Sequence, residues 1–160
     1  RIYVGSNPTW KNKIVYNGQL PDGILGKSNL TKYGTILINE TVPLFNQIAT
    51  AFQAKFGVKL KASGFRTYDT QVSLKKEKPK LAATAGTSNH GWGLAYDWAP
   101  NGADGGGFGS NTYKWMKQNA PKYGFHNPKW AQETGSKPEW WHFEWVDRRK
   151  FFSNVSGKQK

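Results

Sequence analysis

The sequence predicts one domain that mixes helices with short strands. Three observations lead there. With 160 residues, 37% of them hydrophobic and 15% aromatic, the chain can bury a core of its own and does not read as disordered. Apolar residues recur at threes and fours in one long segment and alternate with polar ones in several short segments. Eighteen Gly and eight Pro break these segments apart with turns and loops.

Residues 1–40 read as a turn-rich wrap. Ile2-Tyr3-Val4 and Lys13-Ile14-Val15-Tyr16 are short strand candidates between Asn, Pro and Gly. Gly26-Lys27-Ser28 looks like the end of a phosphate-binding loop. That loop needs glycine where Pro21 stands, so the reading fails. Thr41 to Phe56 is the clearest helix: Val42, Phe45, Ile48, Ala49, Phe52 and Phe56 form one stripe, Thr41 is placed to cap it, and Gly57 ends it. Val58 to Ala62 alternates apolar and basic residues, as a half-exposed strand does. Thr67 can cap a short helix through Gln71 and Leu74, which leaves Arg66 at a strand-to-helix junction. An arginine there can reach a carboxylate or a developing oxyanion, although alone it would read as a surface residue. Lys75 to Lys80 reads as a solvated basic loop.

Leu94 to Trp98 is expected to be a strand, with Leu94, Tyr96 and Trp98 on one face and Ala95 and Asp97 on the other. Asn101 to Ser110 is a glycine-rich connection, with a lid as the alternative. Ser110 caps a helix bearing Tyr113, Met116 and Ala120, which ends before Pro121. Trp141 to Trp145 is a further strand, with Trp141, Phe143 and Trp145 on one face and His142 and Glu144 on the other. The basic tail, 153–160, is expected to fray after Phe152.

Composition bounds the chemistry. Without cysteine there are no disulfides, thiolate metal sites or cysteine nucleophiles. No apolar run approaches the roughly 20 residues that span a bilayer, so no membrane insertion is expected. No leader of the secretory type is visible. A net charge of +13 favours a polyanionic partner: nucleic acid, anionic membrane or anionic wall polymer. No helix gathers Lys and Arg on one face and no recognition motif appears, so nucleic acid is not the expected partner. A monomer is expected.

The informative stretch is Ser88-Asn89-His90-Gly91-Trp92-Gly93-Leu94-Ala95-Tyr96-Asp97. It sets a histidine and a carboxylate seven positions apart. A straight strand cannot aim both at one point, but Gly91 and Gly93 permit a bend. Of the three histidines, His142 closes a later run, Glu139-Trp140-Trp141-His142. Two imidazoles and a carboxylate are a common ligand set for a catalytic zinc, and Glu139 is a nearby carboxylate able to take a proton. Glu144 could orient a ligand from behind. His126 is left out of the set. The bland alternative is a hydrogen-bonded histidine with a capping aspartate in a turn.

Ser88-x-His90-x-x-Gly93-x-Ala95-x-Asp97 resembles the signature of the LAS zinc peptidases, the lysostaphin-like, D-Ala-D-Ala peptidase and hedgehog-like group. Glu139-x-x-His142 is similar to that group's second signature, and Ser63-Gly64-Phe65-Arg66-Thr67-x-x-x-Gln71 to the segment upstream. The motifs keep the family order over residues 63 to 142. The closest branch looks like VanY-type D-alanyl-D-alanine carboxypeptidases and the phage endolysin peptidases built on the same domain. Residues 1–40 carry no such likeness. The resemblance implies an α+β fold whose small antiparallel sheet, flanked by helices, holds the site. It implies zinc bound by His90, Asp97 and His142, Glu139 as general base and Arg66 as stabiliser of the carbonyl oxygen. Gln71, Ser88 and Trp141 are expected to contact substrate. The substrate class implied is peptidoglycan stem peptide, so the enzyme is expected to act at the bacterial wall, with anionic wall polymers as partners by charge. The motifs do not fix the bond cut. A compact basic chain without evident leader or anchor favours an endolysin-type endopeptidase, with a D-alanyl-D-alanine carboxypeptidase as the alternative. A non-catalytic basic wall-binding or nucleic-acid-binding module is the remaining class.

Overall fold

The computed structural model describes residues 8–80, 82–83, 88–145 and 147–153. The expected strand at Ile2–Val4 and the tail beyond Ser153 lie outside them. The N-terminal part holds two small hairpins: β1 (Thr9–Trp10) with β2 (Lys13–Ile14), and β3 (Leu25–Ser28) with β4 (Thr35–Ile38). The second hairpin is absent from the sequence reading, because Gly26-Lys27-Ser28 carries little apolar alternation. Helix α1 (Val42–Phe56) follows, then β5 (Lys61–Ser63), α2 (Tyr68–Glu77), β6 (Ala95–Ala99), α3 (Asn111–Asn119), β7 (Phe125–His126) and β8 (His142–Trp145). Strands β5, β6, β8 and β7 form one antiparallel sheet in that spatial order. The α+β expectation holds.

The sheet turns one face to α1 and α3. Phe45, Ile48, Ala49 and Phe52 of α1, Tyr113 and Met116 of α3, and Tyr96, Trp98 and Phe143 of the sheet form the main core. Phe45 meets Tyr96 edge-on at 4.9 Å, and Phe52 meets Trp98 at 6.3 Å, the geometry that the ring quadrupole favours. Trp115, which has no role on the sequence stripe, packs edge-on against Phe52 at 5.7 Å. A second core gathers Val15, Leu20, Ile24, Ile38, Trp92, Leu94 and Phe152. Trp145 packs against both cores. Residues 8–40 thus supply Val15, Leu20, Ile24 and Ile38 to the second core and Leu37 to the first.

Several boundaries move for physical reasons. Gly57 ends α1 in the left-handed conformation as expected, but Thr41 does not cap it. A 3-10 turn at Asn39–Thr41 runs into the helix, and the Thr41 hydroxyl donates back to the Ile38 carbonyl at 2.8 Å. The strand expected from Val58 starts at Lys61, after the buried Leu60. Helix α2 continues through Lys75, Lys76 and Glu77, so half of the expected basic loop is helix, with lysines at the C-terminal end that the helix dipole favours. Thr67 and Ser110 both cap as expected, accepting from Thr70 N at 3.2 Å and Tyr113 N at 3.1 Å. Arg148 is buried, its guanidinium 4.4 Å from the Trp92 ring centroid, so this basic residue packs onto the second core.

Truncating Phe45 to Ala is expected to cost about 3–5 kcal/mol, the usual range for an aromatic lost from a packed core. Chemical denaturation of the metal-free chain measures this. A cost below about 1 kcal/mol would show that the α1–sheet contact is not the main core.

Candidate metal centre

The face of the sheet turned away from the main core carries the site. Alternation sends Tyr96 and Phe143 inward and leaves Ala95, Asp97, His142 and Glu144 on the other face. The register then sets Asp97 directly opposite His142, and Ala95 opposite Glu144. His142 Nδ1 lies 3.0 Å from Asp97 Oδ1.

His90 arrives from a separate device. Asn89–Trp92 is a 3-10 turn, started by Ser88, whose hydroxyl accepts from His90 N at 3.1 Å. Gly93 closes it in the left-handed conformation, φ 68°, and the chain enters β6 two residues later. Gly91 is needed for another reason: a Cβ there would collide with the Asn17 side chain. Asn17 donates to the Ser88 carbonyl at 2.6 Å, Gly18 N to Gly91 O at 2.8 Å, Ile38 N to Gly93 O at 2.8 Å and Arg66 N to His90 O at 3.1 Å. The turn is thus clamped from the N-terminal segment and from the β5–α2 junction. His90 Nε2 reaches Asp97 Oδ1 at 3.0 Å, and the two imidazoles lie 5.1 Å apart.

The outer nitrogens decide what the inner ones present. His90 Nδ1 is 2.9 Å from the Gly64 carbonyl, which only accepts, so in the neutral ring Nδ1 carries the hydrogen and Nε2 offers a lone pair. His142 Nε2 is 2.8 Å from Glu144 Oε1, which leaves the lone pair on Nδ1. Asn89 Nδ2 in turn donates to Glu144 Oε2 at 2.5 Å. Two lone pairs then face one carboxylate oxygen. That arrangement is repulsive unless a proton or a cation sits among the three. The three ligand atoms lie within 4.8 Å of one another, close enough for one divalent ion. In the metal-free chain a proton on His142 takes that place. Burial opposes charge on His142, but its hydrogen bonds to Asp97 and Glu144 more than offset this and raise its pKa to about 9. Burial likewise opposes charge on Asp97, yet the two imidazoles hold its carboxyl well below the usual range.

Around these three lies a cavity of about 230 Å³, lined by every residue singled out from the sequence except Gln71: Arg66, Ser88, His90, Asp97, Glu139, Trp141 and His142. Gln71 is buried one step back. It accepts from Arg66 Nη1 at 3.0 Å and donates to the Ala83 carbonyl at 2.6 Å, so it fixes the arginine instead of meeting a ligand directly. Arg66 Nη2 makes a long contact, 3.4 Å, with Asp97 Oδ2. Glu139 is held by its main chain: its N–H donates to Ala131 O at 2.8 Å and its carbonyl accepts from His142 N at 3.1 Å. Trp141 departs from the expectation. It stands before β8, turns from the core to the cavity, and meets Trp140 edge-on at 5.7 Å. The 101–110 loop lines no part of the cavity. Asp104 ties it to α3 by accepting from Thr112 N at 3.0 Å and Thr112 Oγ1 at 2.8 Å, so the lid reading finds no support. His126 is exposed and apart from the cluster.

Sequence reasoning missed Trp130, whose ring is 5.1 Å from that of His142, and Asn89 and the Gly64 carbonyl, which orient the ligands. Asn89 lay inside the recognised motif at a variable position, and a backbone carbonyl has no sequence signal. Replacing Glu144 by Gln removes the charge behind His142 and is expected to weaken metal binding about tenfold to a hundredfold. Competition with a chromophoric chelator measures it; unchanged affinity would remove Glu144 from the centre.

Comparison with known proteins agrees with this geometry. A model of the VanY D-alanyl-D-alanine carboxypeptidase family matches residues 35–148. A D-alanyl-D-alanine carboxypeptidase of Enterococcus faecalis is 33% identical over 89 residues, 54% of this chain and 31% of that protein, so the chain spans less than a third of that relative. Among solved structures, VanYB in complex with D-alanine-D-alanine superposes with a TM-score of 0.63 at 24% identity, covering 91% of this chain and 85% of that one. A vancomycin-resistance D,D-pentapeptidase VanY in complex with Zn(II) gives 0.61 at 24% identity, over 76% and 78%. The LdcB LD-carboxypeptidase gives 0.60 at 26% identity, over 81% and 71%. The family match runs from β4 through β8 and takes in both histidines, the aspartate and the clamped turn, and the chain accordingly belongs to the VanY D-alanyl-D-alanine carboxypeptidase family.

Proposed function

We propose that the chain is a zinc-dependent carboxypeptidase that removes the terminal D-alanine from peptidoglycan stem peptides. One observation carries the reading. In a chain of this family, two imidazole lone pairs and a carboxylate converge beside a cavity that also holds Glu139 and Arg66. The endolysin-type endopeptidase favoured on compactness and charge gives way here, because the family model and the curated relative are both D-alanyl-D-alanine carboxypeptidases. Compactness and charge describe the surface and do not select a bond.

His90, Asp97 and His142 would hold the zinc. When bound, zinc supplies a Lewis acid and an acidified water near neutral pH. Glu139, pinned by its main chain at the cavity wall, takes a proton from the attacking water and passes it to the leaving amine. The carbonyl carbon gains an oxygen and the C–N bond breaks, giving a shortened peptide and free D-alanine. Arg66, steadied by Gln71, donates to the carbonyl oxygen as negative charge grows there. Its 3.4 Å contact with Asp97 is at the limit of a hydrogen bond and is the one that yields. Ser88 and Trp141 line the space the peptide occupies. The charge of +13 draws the enzyme to the anionic polymers of the wall.

Glu139→Ala is expected to keep zinc and lose turnover, whereas His90→Ala and His142→Ala lose both. Arg66→Ala should cost about a hundredfold to a thousandfold in kcat. Metal analysis beside peptide hydrolysis reads these out, and wild-type rates in zinc-loaded Glu139→Ala would refute its role. Mass spectrometry of digested stem peptides identifies the bond: free D-alanine from peptides ending D-Ala-D-Ala supports the reading, and new internal termini return the endopeptidase. Added salt should weaken sedimentation with walls far more than hydrolysis of a short peptide; equal effects would remove charge from targeting.

A further inference from the structure

Beyond Asp97 and Trp141, on the side away from the metal cavity, runs a groove of about 360 Å³. It shares those two residues with the cavity, so the two spaces adjoin across Asp97 and Trp141. Its floor is small: Gly34, Ala62, Ser63 and Ala99. At its far lip stands Tyr33, 82% exposed, with φ at 73°. A bulky side chain in the left-handed region is costly, on the order of 1–3 kcal/mol, and such positions gather at binding sites. Burial offers nothing in return here, since the ring faces solvent. Lys32 Nζ and Lys61 Nζ lie 5.4 and 5.9 Å from its centroid. Among the described residues neither lysine pairs with a carboxylate.

The metal cavity is small, about 230 Å³ against roughly 300–1,000 Å³ for sites that hold a drug-sized ligand. It suits the end of a peptide and not its whole length. A chain leaving it past Trp141 enters the groove. The floor of small residues admits an extended backbone, and the two ammonium groups at the lip complement a carboxylate. We propose that this groove is a second substrate subsite, which binds the carboxylate-bearing upstream part of a stem peptide whose end lies in the metal cavity. The inference rests on the function proposed above. Tyr33 covers the peptide while Lys32 and Lys61 hold its acidic side chain, so the groove selects long acidic stems over short neutral ones.

The test compares hydrolysis by the zinc-loaded chain of a blocked D-Ala-D-Ala dipeptide and a five-residue peptide with the same end and a glutamate upstream. Two variants are used: Tyr33→Gly, which also relieves the backbone, and Lys32→Gln with Lys61→Gln. In each, the ratio of kcat/KM for long over short substrate is expected to fall about tenfold, through KM, with the thermal midpoint not lowered. Replacing the glutamate by glutamine should remove the preference in the wild type. An unchanged ratio in both variants would overturn the subsite while leaving the peptidase intact. If the wild type cleaves neither peptide, the proposed function fails, and the subsite is read by NMR titration of the same peptides. Tyr33 ring shifts lost in the lysine variant uphold it; shifts that persist, or that appear only with an anionic wall glycopolymer, overturn it.

Discussion

The register of β6 against β8 is the constraint on which the site depends. Asp97 stands opposite His142, and Ala95 opposite Glu144. A slip of either strand by one residue would send its ligand, Asp97 or His142, toward Phe45 and Phe52 and take Tyr96 or Phe143 out of the main core. The large aromatics on the inner face therefore act on the metal centre. By demanding burial they leave one register, and that register makes the ligand pair. The same alternation that builds the main core presents the carboxylate and the imidazole to the opposite face.

The third ligand cannot come from the sheet, since His90 precedes β6 at the wrong phase. The 3-10 turn at Asn89–Trp92 solves this, but such a short turn has little stability of its own. Its backbone groups are met by Asn17, Gly18, Ile38 and Arg66, and its Trp92 is sunk in the second core beside Phe152 at 5.4 Å. The N-terminal hairpins and the C-terminal residues thus hold one histidine in place. Their contribution to the site is mechanical, through hydrogen bonds and packing behind it, and none of their own side chains needs to reach the ion.

Electrostatics divides the molecule into two scales. At long range the surplus of lysine and arginine sets a positive field that attracts polyanions. At short range the buried face of the sheet gathers Asp97, met by Arg66 and both imidazoles, and Glu144, met by His142 and Asn89. Low solvent exposure at His90, His142 and Glu144 makes those local charges strong and their satisfaction necessary. The centre is therefore complete only with positive charge in its middle, whether as protons or as a metal.

The sequence by itself determined the helices, the faces of β6 and β8, the caps at Thr67 and Ser110, and the motif residues Arg66, Ser88, His90, Asp97, Glu139 and His142 of the cavity. Each rests on local periodicity or on a side chain meeting a backbone group three residues on, and such information is written in adjacent residues. It also determined the family, because three motifs in order carry more information than any one of them. Only the tertiary structure decided the β3–β4 hairpin, the reversal of Thr41 from cap to back-bonded hydroxyl, the burial of Arg148 and the turning of Trp141 from core to cavity. It alone placed Gln71 behind Arg66, Trp130 against His142 and Asn89 under Glu144. Some depend on distant partners, as Arg148 does on Trp92 and Asn89 on Glu144, and the nearer ones on spare hydrogen-bond capacity, which no local pattern encodes.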